Sequence, residues 1–255
     1  MSRSTSRYLS RRPSEQALIE RVSELAGEWS GSGYRRIIDR LRAEGVVVNH
    51  KRVERLWREA GLTIKKREKR RLLVSLVQRL EKASKANERW ALDFLSDRLE
   101  NGATYRILAI IDVFTRECVA IDVARSMPAK RVVQVLERTA TLRGLPSMLT
   151  TDNGPELIST ALARWGADNE VTLWKSRPGT PTDNPFIESF NARLRAECVD
   201  LISIESIDEA RWVLEQWRRR YNEQRGHSSL GRLTPANFAK TAPWVDYRVP
   251  VARTA

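Results

Sequence analysis

Apolar residues in the first part of the chain recur every three or four positions, the spacing that places them on one side of an α-helix. Three such stretches predict helices over about 14–26, 34–44 and 49–60. Asn49 is a favourable N-cap residue for the third stretch, and Gly61 follows its end. The pattern therefore predicts a small all-α module within residues 14–62.

The third predicted helix separates apolar from basic positions. Val53, Leu56 and Trp57 fall on one side, and the other side is predicted to carry His50, Lys51, Arg52, Arg55 and Arg58. A helix, a tight turn and a basic second helix are typical of a helix-turn-helix DNA-binding domain. We therefore predict DNA contacts for Lys51, Arg52, Arg55 and Arg58. A small helical bundle with a charged exterior is the alternative.

From residue 87 the pattern changes to short apolar runs separated by turns. It predicts strands at 88–95, 104–115, 118–124, 147–152 and 171–176, and helices at 129–144, 159–169, 185–197 and 207–225. Three consecutive strands with short links predict an antiparallel meander. The complete order predicts an α/β fold, a mixed sheet with helices on both faces.

Charge separates these two regions. The net charge is +13, and residues 1–86 carry 22 Lys and Arg against 10 Asp and Glu, a net charge of +12. A strongly basic front and a nearly neutral remainder predict a polyanion-binding module joined to a part with another role. We place a helix-turn-helix domain at 14–62, a basic linker at 63–86, an α/β core at 87–240 and a C-terminal tail at 241–255.

Other classes of protein are disfavoured. No apolar run approaches the 18 residues of a membrane span, and the first residues have no signal-peptide pattern. Cys118 and Cys198 are too few for a disulfide framework, and we expect reduced thiols in a cytoplasmic protein.

Three acidic residues occupy positions where metal-dependent chemistry is plausible. Asp93 lies inside an apolar predicted strand, Asp152 ends a strand before a turn, and Glu188 falls in the first turn of a predicted helix. Each also has an ordinary explanation as a strand-edge, turn or helix-dipole residue. The residues alone do not select these three from the other core aspartates, Asp97, Asp112, Asp122 and Asp183.

The core resembles the integrase-like transposases of bacterial insertion sequences, specifically their downstream reading-frame product. The similar stretches are NERWALDFLSDRL (87–99), IDVFTREC (111–118), RGLPSMLTTDNGPE (143–156), RPGTPTDNPFIESFNARLRAEC (177–198) and RRYNEQRGHSSLGRLTPANFA (219–239). Upstream, GYRRI (33–37) and VNHKRVERLWREAGL (48–62) resemble the helix-turn-helix that precedes this core.

The resemblance implies a catalytic and metal-binding triad. The family's W-x-x-D-F, D-N-G-P-E and I-E-S-F-N motifs fall on Asp93, Asp152 and Glu188, with 35 residues between the last two. The implied fold is a ribonuclease-H-like mixed five-stranded sheet. The implied cofactors are two Mg2+ or Mn2+ ions, which would support direct displacement at phosphorus. Asp112 also matches a family position, which we take as non-ligating, and it is the reserve candidate for the first metal ligand in place of Asp93.

Further DNA contacts are expected near the triad. Helical spacing puts Asn191 and Arg195 on the side of Glu188, and Lys175 and Arg177 are further candidates. The alternative interpretation of Arg195 is a solvated surface arginine without a DNA contact. His227 is either a DNA contact or structural.

The resemblance also implies partners. These are DNA at element ends and targets, the upstream reading-frame product, and other copies of the chain in an oligomer on DNA. Gly226 stands where proline is typical of the family. Because His50 and His227 are the only two histidines, the His-His-Cys-Cys set of the zinc-binding domain of retroviral integrases is absent. A nuclease of the same fold without a joining step, and a DNA-binding repressor without catalysis, are the alternative functions.

Overall fold

The computed structural model describes residues 15–29, 31–63, 82–152, 154, 156–176, 184–246, 248 and 250. Most of the predicted basic linker (residues 64–81) and Arg177 lie outside these residues. The chain divides into two compact units, Met1–Arg71 and Leu72–Ala255. No described helix is long and apolar enough to cross a membrane.

The first unit contains the three predicted helices, α1 (Gln16–Glu28), α2 (Tyr34–Ala43) and α3 (His50–Glu59). Their apolar sides form one small core that includes Val22, Leu25, Ile37, Leu41, Val53 and Trp57. The Asn49 side chain accepts a hydrogen bond from the Lys51 N–H at 3.0 Å, which is the predicted N-cap of α3. Helix–helix packing therefore follows directly from the apolar spacing.

The second unit is built on five strands and five helices among the described residues. The strands are β1 (Arg89–Arg98), β2 (Thr104–Asp112), β3 (Cys118–Ala124), β4 (Met148–Thr151) and β5 (Thr172–Lys175). The helices are α4 (Ala129–Arg143), α5 (Thr160–Asp168), α6 (Pro185–Glu197), α7 (Ile207–Gln224) and α8 (Pro235–Thr241).

The sheet is mixed, with the strand order β3-β2-β1-β4-β5. Strands β1, β2 and β3 pair in antiparallel fashion, whereas β4 runs parallel to β1 and β5 runs parallel to β4. The predicted meander and the predicted mixed five-stranded sheet are confirmed. Strand β1 lies at the centre of the sheet.

Helices cover both faces, and the alternation of side chains along β1 joins two separate cores. Ala91 and Leu95 belong to the core beneath α6 and α7. Trp90 and Leu92 belong to the core beneath α4 and α5. Because the middle of β1 is buried on both faces, its residues there are mostly apolar, and the carboxylate of Asp93 between Leu92 and Phe94 is unusual.

Three features differ from the predictions. Strand β2 ends at Asp112 and not at 115, because the Asp112 carboxylate accepts hydrogen bonds from the N–H groups of Phe114 and Thr115 and turns the chain. Strand β1 continues beyond its predicted end at 95 to Arg98. Helix α8 is additional to the predicted elements and is capped by the Thr234 side chain.

The start of the predicted C-terminal tail pairs with the segment that leads into β1. The Ala86 N–H donates to the Pro243 carbonyl at 2.8 Å, and the Val245 N–H donates to the Ala86 carbonyl at 3.0 Å. The Leu145 N–H donates to the Arg248 carbonyl at 2.9 Å. These main-chain bonds fix Pro243, Val245 and Arg248 against the rest of the second unit.

Gly166 allows α5 to approach the sheet closely. A Cβ atom at this position would lie 2.9 Å from Leu173 Cγ and 3.1 Å from the Val171 carbonyl oxygen. We predict that Gly166→Ala destabilises the second unit by about 1–3 kcal/mol, because the backbone contact cannot move aside.

Gly27→Ala is the matched control. Gly27 lies inside α1 with open space around its Cα, so alanine should stabilise its helix by about 0.5–1 kcal/mol. Chemical denaturation followed by circular dichroism measures both variants. Equal stabilisation by the two substitutions would contradict the close approach of α5.

Candidate active site

The pairing of β1 with β4 brings Asp93 beside Asp152. Arg89, Trp90 and Ala91 pair with Met148, Leu149 and Thr150, respectively, in parallel register. The pairs end there, but extending the same register by two residues leads to Asp93 and Asp152, and the two carboxylates interact electrostatically. Because equivalent positions on neighbouring strands face the same side of a sheet, both carboxylates are on the face covered by α6.

Helix α6 supplies the remaining groups. Pro185 occupies the first turn, and Ile187, Phe190 and Leu194 are buried against the sheet. One turn after Glu188, the Asn191 side chain donates a hydrogen bond from Nδ2 to Asp93 Oδ2 at 2.7 Å. Glu188 is therefore carried to the edge of the site by a helix that is tied to Asp93.

The electrostatics of Asp93 link the three acids. The pKa of Asp93 is raised to about 6, chiefly by burial and also by repulsion from Asp152, against hydrogen bonds from the Phe94 N–H and the Asn191 side chain. Burial also raises the pKa of Glu188, and the charge of Asp93 adds to this effect. Asp93 is thus the common neighbour of the other two carboxylates.

The residues present fit a hard divalent cation. Asp93, Asp152 and Glu188 offer carboxylate oxygens, which Mg2+ and Mn2+ prefer. The Asn191 Oδ1 atom is buried and accepts no hydrogen bond from the described residues. Within the described chain, no three Asp, Glu, His or Cys side chains converge closely enough to form a complete metal cage. Asp93 nevertheless repels both Asp152 and Glu188, and a bound cation would offset this repulsion.

The turn after β4 shapes the position of Asp152. The Asp152 Oδ1 atom accepts a hydrogen bond from the Gly154 N–H at 2.9 Å, and a Cβ on Gly154 would lie 3.1 Å from that oxygen. Farther along, Glu156 forms an ion pair with Arg106, whose guanidinium lies 4.4 Å from the centroid of the Phe94 ring. Glu156 therefore anchors the loop across β2 and β1.

The reserve candidate Asp112 has a structural role. It is fully buried, and its Oδ2 atom accepts the Asn87 N–H at 2.7 Å. Its Oδ1 atom accepts the N–H groups of Phe114 and Thr115 at 2.8 and 2.9 Å. The bonds from Phe114 and Thr115 stabilise the turn at the end of β2, and the bond from Asn87 ties this end to the segment before β1, so both carboxylate oxygens have structural partners.

The predicted DNA contacts near the triad have different surroundings. Asn191 is only 9% exposed and binds Asp93, so little of it is available to DNA. Arg195 donates to the Ser96 carbonyl at 2.8 Å and lies 3.4 Å from Asp200. Lys175 is exposed at the end of β5, whereas His227 is buried and packs edge-on against Tyr221.

The arginines of α3 are paired within the first unit. Glu15 binds both Arg52, at 2.7 Å, and Arg55. Arg58 binds Glu54 at 2.6 Å. Lys51 is exposed and forms no ion pair among the described residues. Of the four predicted contacts on this helix, Lys51 has the charge that no acidic neighbour offsets.

The helix periodicity predicts Asn191 near the triad as a DNA contact, whereas its side chain binds Asp93. The sequence contains a signal for this role, because Asn191 follows Glu188 by three residues on a helix whose buried side faces β1. The hydrogen bond to Asp93 joins residues 98 positions apart. Spacing along the helix predicts the neighbourhood, whereas the partner requires the tertiary structure.

Family models match three parts of the chain. Residues 13–71 match an HTH-like domain, and residues 83–181 and 169–235 match two models described as the integrase core domain. The two core matches together include Asp93, Asp152 and Glu188. They also include the whole five-stranded sheet.

Proteins of insertion elements are similar over nearly the whole chain. A 39.2 kDa protein of element IS476 from Xanthomonas euvesicatoria is 41% identical, over 95% of this chain and 69% of the relative. A 31.7 kDa protein of element IS407 from Burkholderia multivorans is 41% identical, over 94% and 87%. The transposase of element IS904 from Lactococcus lactis is 30% identical, over 90% and 98%.

A solved structure shares the fold. A chain in the simian T-cell lymphotropic virus intasome, in complex with PP2A regulatory subunit B56 gamma, is similar over 92% of this chain and 80% of its own length. The TM-score is 0.56 and the sequence identity is 14%. At this identity, the likeness concerns the fold alone.

The raised pKa of Asp93 predicts a pH-dependent penalty on stability. A carboxyl whose folded-state pKa is about 6, against an ordinary value of 3.8, binds its proton more tightly when folded. Stability is therefore lost as pH rises between these values, and the loss is complete above about 6. In metal-free buffer at neutral pH, Asp93→Asn should stabilise the second unit by about 1–3 kcal/mol.

Thermal and chemical denaturation across pH measure this effect. The gain should disappear near pH 4, where the wild-type carboxyl is already protonated on folding. Asp168→Asn, a substitution on the surface of α5, should change stability little at either pH. A destabilised Asp93→Asn at neutral pH would contradict the electrostatic account.

Proposed function

The chain belongs to the insertion-sequence transposases of the integrase-like DDE type, and from this premise we propose that it cuts DNA at the element ends and joins the freed 3′-hydroxyl to target DNA. Both reactions are direct displacements at phosphorus by an oxygen nucleophile. The observation that carries the proposal is that Asp93 interacts electrostatically with both Asp152 and Glu188 and accepts a hydrogen bond from Asn191.

The three acids are the proposed catalytic and metal-binding residues. Asp93, Asp152 and Glu188 would together hold two Mg2+ or Mn2+ ions. Such a pair of ions activates the attacking oxygen and stabilises the leaving oxygen of an in-line displacement. The raised pKa of Asp93 supports this assignment, because the carboxylate gains a compensating charge when a cation binds.

Asn191 is proposed to position Asp93. Its Nδ2–H bond to Asp93 Oδ2 favours the ionised carboxylate, while the Phe94 N–H donates to the other oxygen, Oδ1, at 2.8 Å. This is a role within the site, in place of the DNA contact expected from the helix periodicity. Arg195 and Lys175 remain candidates for contacts with DNA phosphates, as does Arg177, which lies outside the described residues.

The first unit is proposed to bind DNA as a helix-turn-helix domain. The match to an HTH-like domain, the capped α3 and the basic charge of residues 1–86 support this role. We further propose that 63–86 acts as a basic linker, that the chain works as a homo-oligomer on DNA, and that the upstream reading-frame product is a partner. A working complex that joins two DNA ends needs more than one active site.

The decisive variant is Asp152→Asn. It removes one proposed metal ligand while leaving the β4 strand and the turn at Gly154 in place. We predict that strand transfer falls by at least about a thousandfold, while affinity for an end duplex changes less than about twofold. Joined products of a labelled element-end duplex and supercoiled target DNA measure the transfer, in the presence of Mg2+ or Mn2+.

Asp168→Asn on α5 is the matched control and should retain full activity. Full strand transfer by Asp152→Asn would exclude the triad. Hydrolytic cleavage without any joined product, in the wild-type protein, would instead indicate a nuclease of the same fold. DNA binding without cleavage would indicate a repressor.

Lys51 and Arg52 offer a matched test of DNA binding by α3. Both are basic residues in the first turn of this helix, but only Arg52 is paired with Glu15 in the free protein. We predict that Lys51→Ala lowers the slope of log Kobs against log salt concentration by about 0.9, as for one lost phosphate contact. Arg52→Ala should change this slope less.

Fluorescence anisotropy with a labelled duplex over a range of salt concentrations gives both slopes. Each variant removes one positive charge, so a general loss of electrostatic attraction would affect them equally. An equal or larger effect of Arg52→Ala would mean that DNA displaces Glu15 from its arginines.

A further inference from the structure

Arg116 adopts a backbone conformation that favours glycine or asparagine. Its φ angle is +64°, in the left-handed region, within the turn between β2 and β3. A branched or long side chain in this region is uncommon and costs free energy relative to glycine. Arginine at this position therefore indicates that the side chain has a use that offsets the strain.

The Arg116 side chain is held against the start of α6. Its guanidinium carbon lies 3.7 Å from the centroid of the Phe186 ring, and its Nη1 atom donates to the Val113 carbonyl. Stacking on the ring fixes the plane of the guanidinium, and its other N–H groups form no hydrogen bond within the described part of the chain. Phe186 precedes Glu188 by two residues.

A second arginine, Arg193 of α6, interacts with Arg116. Arg193 interacts electrostatically with Arg116 and forms a hydrogen bond with the Tyr221 side chain. Both arginines are partly exposed, and burial lowers the pKa of each. Arg193 follows Asn191 by two residues, so α6 bears the proposed catalytic groups on one flank and this basic pair on another.

The carboxylates nearest to this pair act only beyond ion-pair distance, where Asp112 attracts Arg116 and Glu197 attracts Arg193. Arg225 is buried against Tyr221 and binds Glu197 at 2.6 Å. In the described residues, neither Arg116 nor Arg193 forms an ion pair with a carboxylate. Because the two guanidinium groups are partly buried and repel each other, an anion bound between them would lower the free energy of the pair.

We propose that Arg116 and Arg193 form a binding site for a backbone phosphate of the DNA on which the enzyme acts. The site rests on the proposed function, since it lies on the helix that carries Glu188 and would hold the strand beside the acids. Planar guanidinium groups bind phosphate oxygens through paired hydrogen bonds. Phosphate contacts of this kind fix the position of a duplex without reading its sequence.

Arg116→Gly separates binding from folding. Glycine relieves the left-handed conformation, so the loss of the Phe186 stacking is offset and the melting temperature should not fall. The full chain should nevertheless bind a labelled element-end duplex about tenfold more weakly. The slope of log Kobs against log salt concentration should fall by about 0.9, and Arg193→Gln should lower it by a similar amount.

Arg164→Gln is the matched control, an arginine on α5 on the opposite face of the sheet whose side chain is 81% exposed. It removes the same charge and should leave the slope unchanged. If the slope is unchanged in both Arg116→Gly and Arg193→Gln, the proposal fails. Lower melting temperatures in both variants with undiminished binding by the folded fraction also overturn it, and would assign the pair to anchoring α6.

This experiment distinguishes the phosphate site from the proposed reaction. Binding is measured in EDTA, so it does not depend on cleavage or on a metal ion. Loss of salt sensitivity in Arg116→Gly, together with an inactive wild-type protein, would retain the phosphate site and remove the proposed catalysis. An unchanged slope, together with strand transfer by the wild-type protein, would do the reverse.

Discussion

The parallel pairing of β1 with β4 is the constraint on which the candidate active site depends. Two carboxylates on neighbouring strands repel each other, and the free energy that holds them together comes from elsewhere in the sheet. Strand β1 is central and has apolar side chains in both cores, so a shift of its register would expose one set of them. The hydrophobic cores therefore impose an arrangement of charges that the charges themselves oppose.

Helix α6 completes the site because it offers different residues on different flanks. Its buried side, with Ile187, Phe190 and Leu194, fixes the helix on the sheet. On one flank Asn191 binds Asp93, and on another Arg193 approaches Arg116. A change in the rotation of this helix would consequently disturb the acids and the basic pair together.

The sequence predicted the elements of the fold well because burial on one or two sides leaves a periodic pattern. The meander, the helices of the first unit and the neighbourhood of Asp93 follow from spacing and from the family motifs. Side-chain pairing between distant segments leaves no such pattern. Glu15 binds Arg52 and Arg55 across the first unit, and this pairing changes which basic residues of α3 are available. The early end of β2 similarly depends on how the Asp112 side chain bonds to the turn.

The main-chain bonds between Ala86 and residues 243–245 place two distant parts of the polypeptide side by side. The point where the chain enters the sheet domain and a point near where it leaves are thus neighbours. A short peptide could bridge them, and new termini could then be opened at an exposed loop, giving a circular permutant with the same strand order. Such a permutant would show that this fold depends on which strands pair, and not on the residue at which the polypeptide begins.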